Sequence, residues 1–335
     1  MPFTRDTLHD FLRRRPVILA PMDGVSDAVF RRLCRTVGAE LCVTEFVNVG
    51  SVLRGCKTSR RKLTLAPDDR PTAIQIYGGN PDELVEAACL AEAAAPAFLD
   101  INCGCWVPRI MARGGGAGWL RDPAAMVTMA ARIVAGTRLP VTVKTRIGYG
   151  PESHMPIVEL ARRLEDVGVA AITIHCRTAM ARHEGPADWQ WARRAREGVR
   201  IPVIVNGDVR TAADVRRALD DTGCEAAMIG RAAIDHPWVF REARALLDSG
   251  LEPAPPSDAE RLALARTHLA WNVASRGEKP GVFATRRHLR GYLAGLADAE
   301  ARWKALIRTE RLDACLALLA SDDDGHGGGG ERHAA

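Results

Sequence analysis

Ala97-Phe98-Leu99-Asp100-Ile101-Asn102-Cys103-Gly104-Cys105 runs from an apolar, strand-forming triplet into polar residues and a glycine that turn it into a loop. A cysteine within such a strand is an inert small hydrophobe, whereas one on the loop beyond it can meet a ligand. The thiol of Cys105 thus falls just past the end of a buried strand, the place where an α/β barrel carries its chemistry. Cys105 is the first candidate for a chemical residue.

Outward from this stretch the same pattern recurs eight times. Short apolar runs at 17–20, 41–45, 72–77, 97–102, 141–145, 171–175, 203–206 and 227–230 read as strands. Helical patterns lie between them at 27–37, 82–95, 123–135, 157–167, 212–220 and 237–247. Asn80, Asp122 and Thr211 stand where N-caps belong, the first two ahead of Pro81 and Pro123. Parallel strands need helical crossovers and eight of them close a sheet, so the expectation is a (β/α)8 TIM barrel over about residues 16–247. A doubly wound sheet uses the same grammar, but no G-x-G-x-x-G follows the first strand.

Residues 248–257, with three prolines and Gly250, read as a linker, and 258–320 as a small C-terminal all-α domain. The Asp-, Gly- and His-rich tail 321–335 lacks the apolar residues needed to offset ordering entropy and reads as disordered. Nine scattered cysteines, none spaced C-x-x-C, argue against a disulfide framework and a zinc site, so no metal is expected. A net charge of +5 permits a polyanionic partner without demanding one. Residues 1–15 carry no signal-like apolar segment and no later run approaches a membrane span, so a cytoplasmic protein is expected.

In a barrel, the polar residues after each strand converge on one mouth. The eight strands deliver Pro21-Met22-Asp23-Gly24, Thr44-Glu45, Gln75-Ile76-Tyr77, Asn102 with Cys105, Lys144-Thr145-Arg146, His175 with Arg177, Asn206-Gly207-Asp208 and Gly230-Arg231. A single Gln or Thr there would be a strand cap, but eight such ends in a row are a site. Gly207 and Gly230 let backbone N–H groups approach an anion beside Arg231, at the usual phosphate position of this fold. Lys144 and His175 flank the same mouth, where they can bond the polar edge of a flavin or another planar anionic ring. The glycine-rich run Gly114-Gly115-Gly116-Ala117-Gly118 reads as a mobile loop beside the cysteine.

Six ordered motifs, Ala20-Pro21-Met22-Asp23-Gly24-Val25-Ser26-Asp27, Asp100-Ile101-Asn102-Cys103-Gly104-Cys105, Val143-Lys144-Thr145-Arg146-Ile147-Gly148, Ile174-His175-Cys176-Arg177-Thr178, Val205-Asn206-Gly207-Asp208-Val209 and Met228-Ile229-Gly230-Arg231, strongly resemble the bacterial tRNA-dihydrouridine synthases. The likeness continues at Arg286-Arg287-His288-Leu289-Arg290-Gly291-Tyr292-Leu293. It implies an FMN-binding catalytic domain over 1–247, a helical tRNA-binding domain over 258–320, and NADPH-dependent reduction of the C5–C6 bond of a uridine in tRNA. Carried over by position, Cys105 is the general acid. Pro21, Met22, Gln75, Lys144 and His175 would hold the flavin ring and ribityl chain, and Asn206, Gly207, Asp208, Gly230 and Arg231 its phosphate. Asn102, Arg146, Arg177 and His183 would face the substrate base, and Arg286, Arg287 and Arg290 would meet RNA phosphates, with Leu289 and Leu293 packed inward. No stable protein partner is implied.

The chain departs from the family pattern at several places: Pro108 with Arg109 after it stands where a lysine often lies three residues beyond the cysteine, and the run 114–118 is richer in glycine than usual. Trp106 stands where a proline usually follows the cysteine, and His183 where an aromatic Tyr or Phe is common. Two other functions remain open at this level: a small-molecule flavin reductase on the same barrel, and a catalytically weak, flavin-loaded RNA-binding paralogue.

Overall fold

The computed structural model describes residues 2–150 and 155–320. The tail from 321 lies outside the described residues. Nine strands, all parallel to their neighbours, form one closed sheet: β1 Val17–Leu19, β2 Leu41–Val43, β3 Val47–Asn48, β4 Thr72–Tyr77, β5 Leu99–Cys103, β6 Val141–Arg146, β7 Ala171–His175, β8 Val203–Asn206 and β9 Ala226–Ile229. The ring closes where β1 pairs with both β2 and β9, and β2 with β4. β3 continues β2 along the same edge of β4, with Val43 opposite Ala73 and Val47 opposite Ile76. Four residues thus advance against three, a bulge that splits the strand expected at 41–45 and re-aims Glu45, which accepts the Gly24 N–H at 2.7 Å and pairs with Lys62. The ring has eight positions, with the second interrupted, and is a TIM barrel.

One further boundary differs from the sequence expectation, and it matters for the site. β5 begins at Leu99, two residues after the start of the expected strand 97–102, and runs one residue further, so Cys103 is a buried strand residue rather than loop. Pairing with β6 at Asn102–Lys144 and Cys103–Thr145 supplies the backbone partners that hold these residues extended.

Strand alternation sorts the interior. Ile18, Leu41, Ala73, Ala171, Ile204 and Ala226 form an apolar floor, and above it lie Gln75, Asp100, Thr142 and Thr173, all buried. The helix Arg5–Arg13, which the sequence pattern does not announce, contributes Leu8 and Leu12 to the same floor and is held by a Thr4–Thr7 capping box. Around the ring, helices Ala28–Thr36, Pro81–Glu92, Pro123–Gly136 and Ala212–Thr222 start on side-chain caps from Asp27, Asn80, Asp122 and Thr211.

The chain divides into two compact units. The first carries the barrel and ends with the helix Val239–Ser249 and the residues to Pro253. The second comprises Ile234–His236 and the segment from Ala254 onward, with helices Asp258–Arg276, Glu278–Tyr292, Ala299–Leu306 and Leu312–Leu318. His288, within its core, shares a hydrogen bond of 3.1 Å with the Ile234 carbonyl. Among the described residues no helix is long and apolar enough to cross a membrane.

Candidate active site

The C-terminal ends of the strands bring the candidate residues of the first unit together, and their hydrogen bonds separate scaffolding from free chemistry. Asn102 is the hinge of the cysteine loop: its Oδ1 accepts the backbone N–H of Gly104 at 3.0 Å and of Cys105 at 2.9 Å. Its Nδ2 donates to Gln75 Oε1 at 2.9 Å, and Gln75 Nε2 donates to Asp100 Oδ2 at 2.6 Å. Thr142 donates to the other carboxylate oxygen of Asp100. Gln75 and Asn102, expected to touch cofactor and substrate, are therefore first of all a buried brace for the loop. Asp100 anchors it and went unrecognised, because its partners lie on other strands. Burial pushes this carboxyl up to about 6, against the hydrogen bonds from Gln75 and Thr142 and the charge of Lys144.

Cys103 and Cys105 differ by the alternation of β5. Cys103 points with Ile101 away from the barrel interior, is fully buried, and its thiol is pushed far up by burial. Cys105 lies past the strand end, partly exposed, with its carbonyl bonded to the Ala117 N–H at 2.9 Å. Burial raises its thiol, opposed by the Val107 N–H and the nearby Arg146 guanidinium. It is a protonated thiol at neutral pH. The glycine-rich run beside it is not a free loop: residues 116–120 are buried, Gly116–Arg121 forms a 3-10 turn, and a Cβ on Gly116 would stand 2.6 Å from the Cys105 carbonyl oxygen.

Four cations sit above the floor. Lys144 Nζ donates to Asn206 Oδ1 at 2.9 Å and forms no ion pair among the described residues; burial and the adjacent Arg146, opposed by the charge of Asp100, push its ammonium down to about 8. Arg146, 1% exposed, donates to the carbonyls of Gly104, Thr178 and Arg182, joining the loop after β5 to the loop after β7, and is pushed down to about 10 by burial and by Arg177. Arg177 is engaged internally, with two bonds to the Gly185 carbonyl and an ion pair with Asp208 at 2.5 Å. Burial works against the Asp208 carboxylate, but Arg177, the Ala187 N–H and Arg210 hold it well below the usual range. The side chains of Arg177 and Asp208, expected at substrate and phosphate, satisfy one another. Arg231 differs: 56% exposed, its nearest carboxylate is Asp208 at 3.8 Å.

The phosphate candidates resolve in the same way. Asn206 is engaged through both ends of its amide, by Lys144 and by the Met228 carbonyl at 2.8 Å. Gly207 at φ +108° and Asp208 at φ +51° are successive left-handed residues, and a Cβ on Gly207 would stand 2.9 Å from the His175 ring. None of the backbone hydrogen bonds of the described loops uses the N–H of Gly207, Asp208, Gly230 or Arg231 as donor. Met22 Sδ lies 3.7 Å from where a Gly230 Cβ would be, so the ends of β1 and β9 meet there, with Pro21 half-buried beside them. Amides without a backbone acceptor among the described residues, an exposed guanidinium and a buried ammonium are groups that could hold an anion.

His175 accepts from Arg177 at 3.4 Å, and its ring is stacked on His183 with centroids 5.9 Å apart. Burial and the surrounding cations hold it well below the ordinary histidine range. Trp106 donates through Nε1 to His183 Nε2 at 3.2 Å. In the second unit, Arg287 and Arg290 are exposed, while Leu289 and Leu293 are buried. Arg286 departs from the expectation: its guanidinium lies 4.0 Å over the Phe283 ring and donates to the Thr309 carbonyl at 2.9 Å, which ties it to its own unit.

A dihydrouridine synthase family model matches residues 18–314. A probable tRNA-dihydrouridine synthase of Mycobacterium tuberculosis is 35% identical over 316 residues, spanning 91% of this chain and 81% of that protein. The tRNA-dihydrouridine synthase B of Pseudomonas aeruginosa is 34% identical over 305 residues, spanning 90% and 91%. Among solved structures, morphinone reductase superposes with a TM-score of 0.51 at 13% identity, covering 72% of this chain and 88% of that one, a likeness of fold. The ordered motifs, the barrel that carries them and relatives matched over most of their length lead to one assignment: this chain belongs to the dihydrouridine synthase family of enzymes.

Proposed function

We propose that this protein binds FMN at the barrel mouth and, with NADPH as reductant, reduces the C5–C6 double bond of a uridine in tRNA in the cytoplasm. The observation that carries the reading is the loop-held, protonated thiol of Cys105 at the same mouth as four backbone amides without a backbone acceptor, the half-exposed Arg231 guanidinium and the buried Lys144 ammonium. The residues fit a flavin phosphate. The amides of Gly207, Asp208, Gly230 and Arg231 and the Arg231 guanidinium would hold it, with Lys144 and His175 along the ring and Met22 and Pro21 beside it. Bound there, a flavin would supply hydride chemistry toward C6 of the base.

The protein's part is the proton. Hydride addition at C6 leaves electron density at C5 and O4, and Cys105 Sγ–H delivers its proton to C5. The resulting thiolate is stabilised by the Val107 N–H and by Arg146, and regains a proton from water. A low thiol pKa would defeat this role, and burial keeps it high. The base must leave its stack to expose both carbons, and Arg146, Arg177 and His183 line its approach. In the second unit the exposed Arg287 and Arg290 would meet tRNA phosphates.

The test is direct. The purified protein should carry near-stoichiometric non-covalent FMN, and Arg231→Ala should weaken its binding by about 1.5–3 kcal/mol, the worth of a charge-assisted contact. Mass spectrometry of tRNA treated with protein and NADPH should show a gain of two hydrogens at uridine. A folded protein that takes up no flavin, or that reduces a small molecule but never tRNA, would overturn the reading.

A further inference from the structure

Trp106 is the residue that the reaction leaves unexplained, and its surroundings give it a task. The indole nitrogen is only ever a donor, so the 3.2 Å contact with His183 makes Nε2 of that imidazole an acceptor without a proton. A neutral imidazole then carries its proton on Nδ1. The two rings meet edge to face, with centroids 5.8 Å apart and planes at 87°, and the Arg182 guanidinium lies 5.2 Å over the indole. Arg146 fixes the same two loops from below, through the carbonyls of Gly104 and Arg182. Indole and imidazole are therefore held from both sides.

We propose that Trp106 and His183 act as one unit, in which the indole locks His183 as the Nδ1–H tautomer so that the imidazole offers a neutral donor to a carbonyl oxygen of the uracil ring entering the mouth. This rests on the uridine-reductase reading. Among the described residues His183 Nδ1 takes part in no hydrogen bond, and the residue is exposed beside His175. Partial burial, followed by Arg231, Arg146, Arg177 and Lys144, holds the imidazole down to about 4, so it adds a donor and no charge. A phosphate would call for a cation such as Arg231, whereas a base carbonyl is uncharged and suits a neutral N–H. His183 is then a substrate-binding residue and Trp106 a positioning residue acting through it.

Two measurements decide it. In the full-length flavin-loaded protein with ¹⁵N-labelled histidine, the signal that disappears in His183→Gln should show an Nδ1–H, Nε2-lone-pair imidazole at pH 7. In Trp106→Phe, which keeps a ring and removes the donor, the preference should vanish. Dihydrouridine formation on tRNA should then fall about fivefold to tenfold in kcat/KM in both Trp106→Phe and His183→Phe, as for removal of a neutral hydrogen bond. The double variant should be no worse than either single. His183→Gln, which regains an amide donor, should recover part of the loss and be indifferent to Trp106→Phe. An Nε2–H or doubly protonated His183 in the unaltered protein overturns the tautomer lock, and so do losses that add in the double variant. If the unaltered protein forms no dihydrouridine, the reductase reading falls, while the nitrogen spectrum still decides the lock.

Discussion

Two cysteines two residues apart have opposite fates because β5 alternates. Cys103 belongs to the outward face and burial removes it from chemistry, while Cys105 has left the ladder and is caught by the Asn102 side chain. Cys105→Ala should keep FMN bound and still reducible by NADPH, yet slow dihydrouridine formation by about 10²–10⁴, the usual worth of a general acid. Cys103→Ala with the same loss and an active Cys105→Ala would reverse the assignment. The raised thiol also sets a pH signature. The neutral form is the working form, so turnover should hold across neutral pH and decline on the alkaline side as the thiolate forms, with alkylation of Cys105 by iodoacetamide accelerating over the same range. A reactive thiolate at pH 7 would contradict the acid role. Cys105 was legible in the sequence because Gly104 marks the strand's end. The brace beneath it was not, since Gln75, Asp100 and Thr142 meet across three strands and no local pattern says which side chain uses up which donor.

At the scale of elements, alternation of apolar runs and helices was enough to find the ring, and the caps at Asn80, Asp122 and Thr211 stand where the sequence put them. The segment 114–118 shows where that reading stops. Glycine permits motion and also permits close approach, and composition does not distinguish the two. Here approach dominates: a Cβ on Gly79 would lie 1.9 Å from the Arg113 carbonyl, and one on Gly116 at 2.6 Å from that of Cys105. Gly116 also has φ +55°, unfavourable for any residue with a side chain. Gly116→Ala should therefore destabilise the protein by about 1–3 kcal/mol in denaturant titration and, by pushing on the Cys105 backbone, lower dihydrouridine formation more than flavin binding. An unchanged midpoint and unchanged turnover would restore the mobile loop. The helix Arg5–Arg13 is hidden in the sequence for a related reason. Its two buried leucines are too few to stand out, and its partners are the floor residues of strands far along the chain.

For the molecule as a whole, a net charge of +5 says little, and the placement of individual arginines says more. One helix face was expected to offer Arg286, Arg287 and Arg290 alike. The helix Glu278–Tyr292 exists and buries Leu289, yet Arg286 is turned onto Phe283 and Thr309, so the expected trio has a structural member. Replacing it would disturb the second unit and imitate a binding defect. The informative variant is Arg287→Gln with Arg290→Gln, both exposed. Each arginine–phosphate pairing removed should lower the slope of log affinity against log salt by about 0.7–0.9, so the double substitution should flatten it by up to about 1.4–1.8 and weaken tRNA binding evenly across tRNA sequences. FMN content should stay as it was, because neither residue belongs to the proposed anion site of the barrel. Arg286→Gln, by contrast, should lower the melting temperature while leaving the salt slope of whatever folds close to that of the unaltered protein. A double variant with the original slope would show that the RNA is held elsewhere, and would return the second unit to a purely structural role.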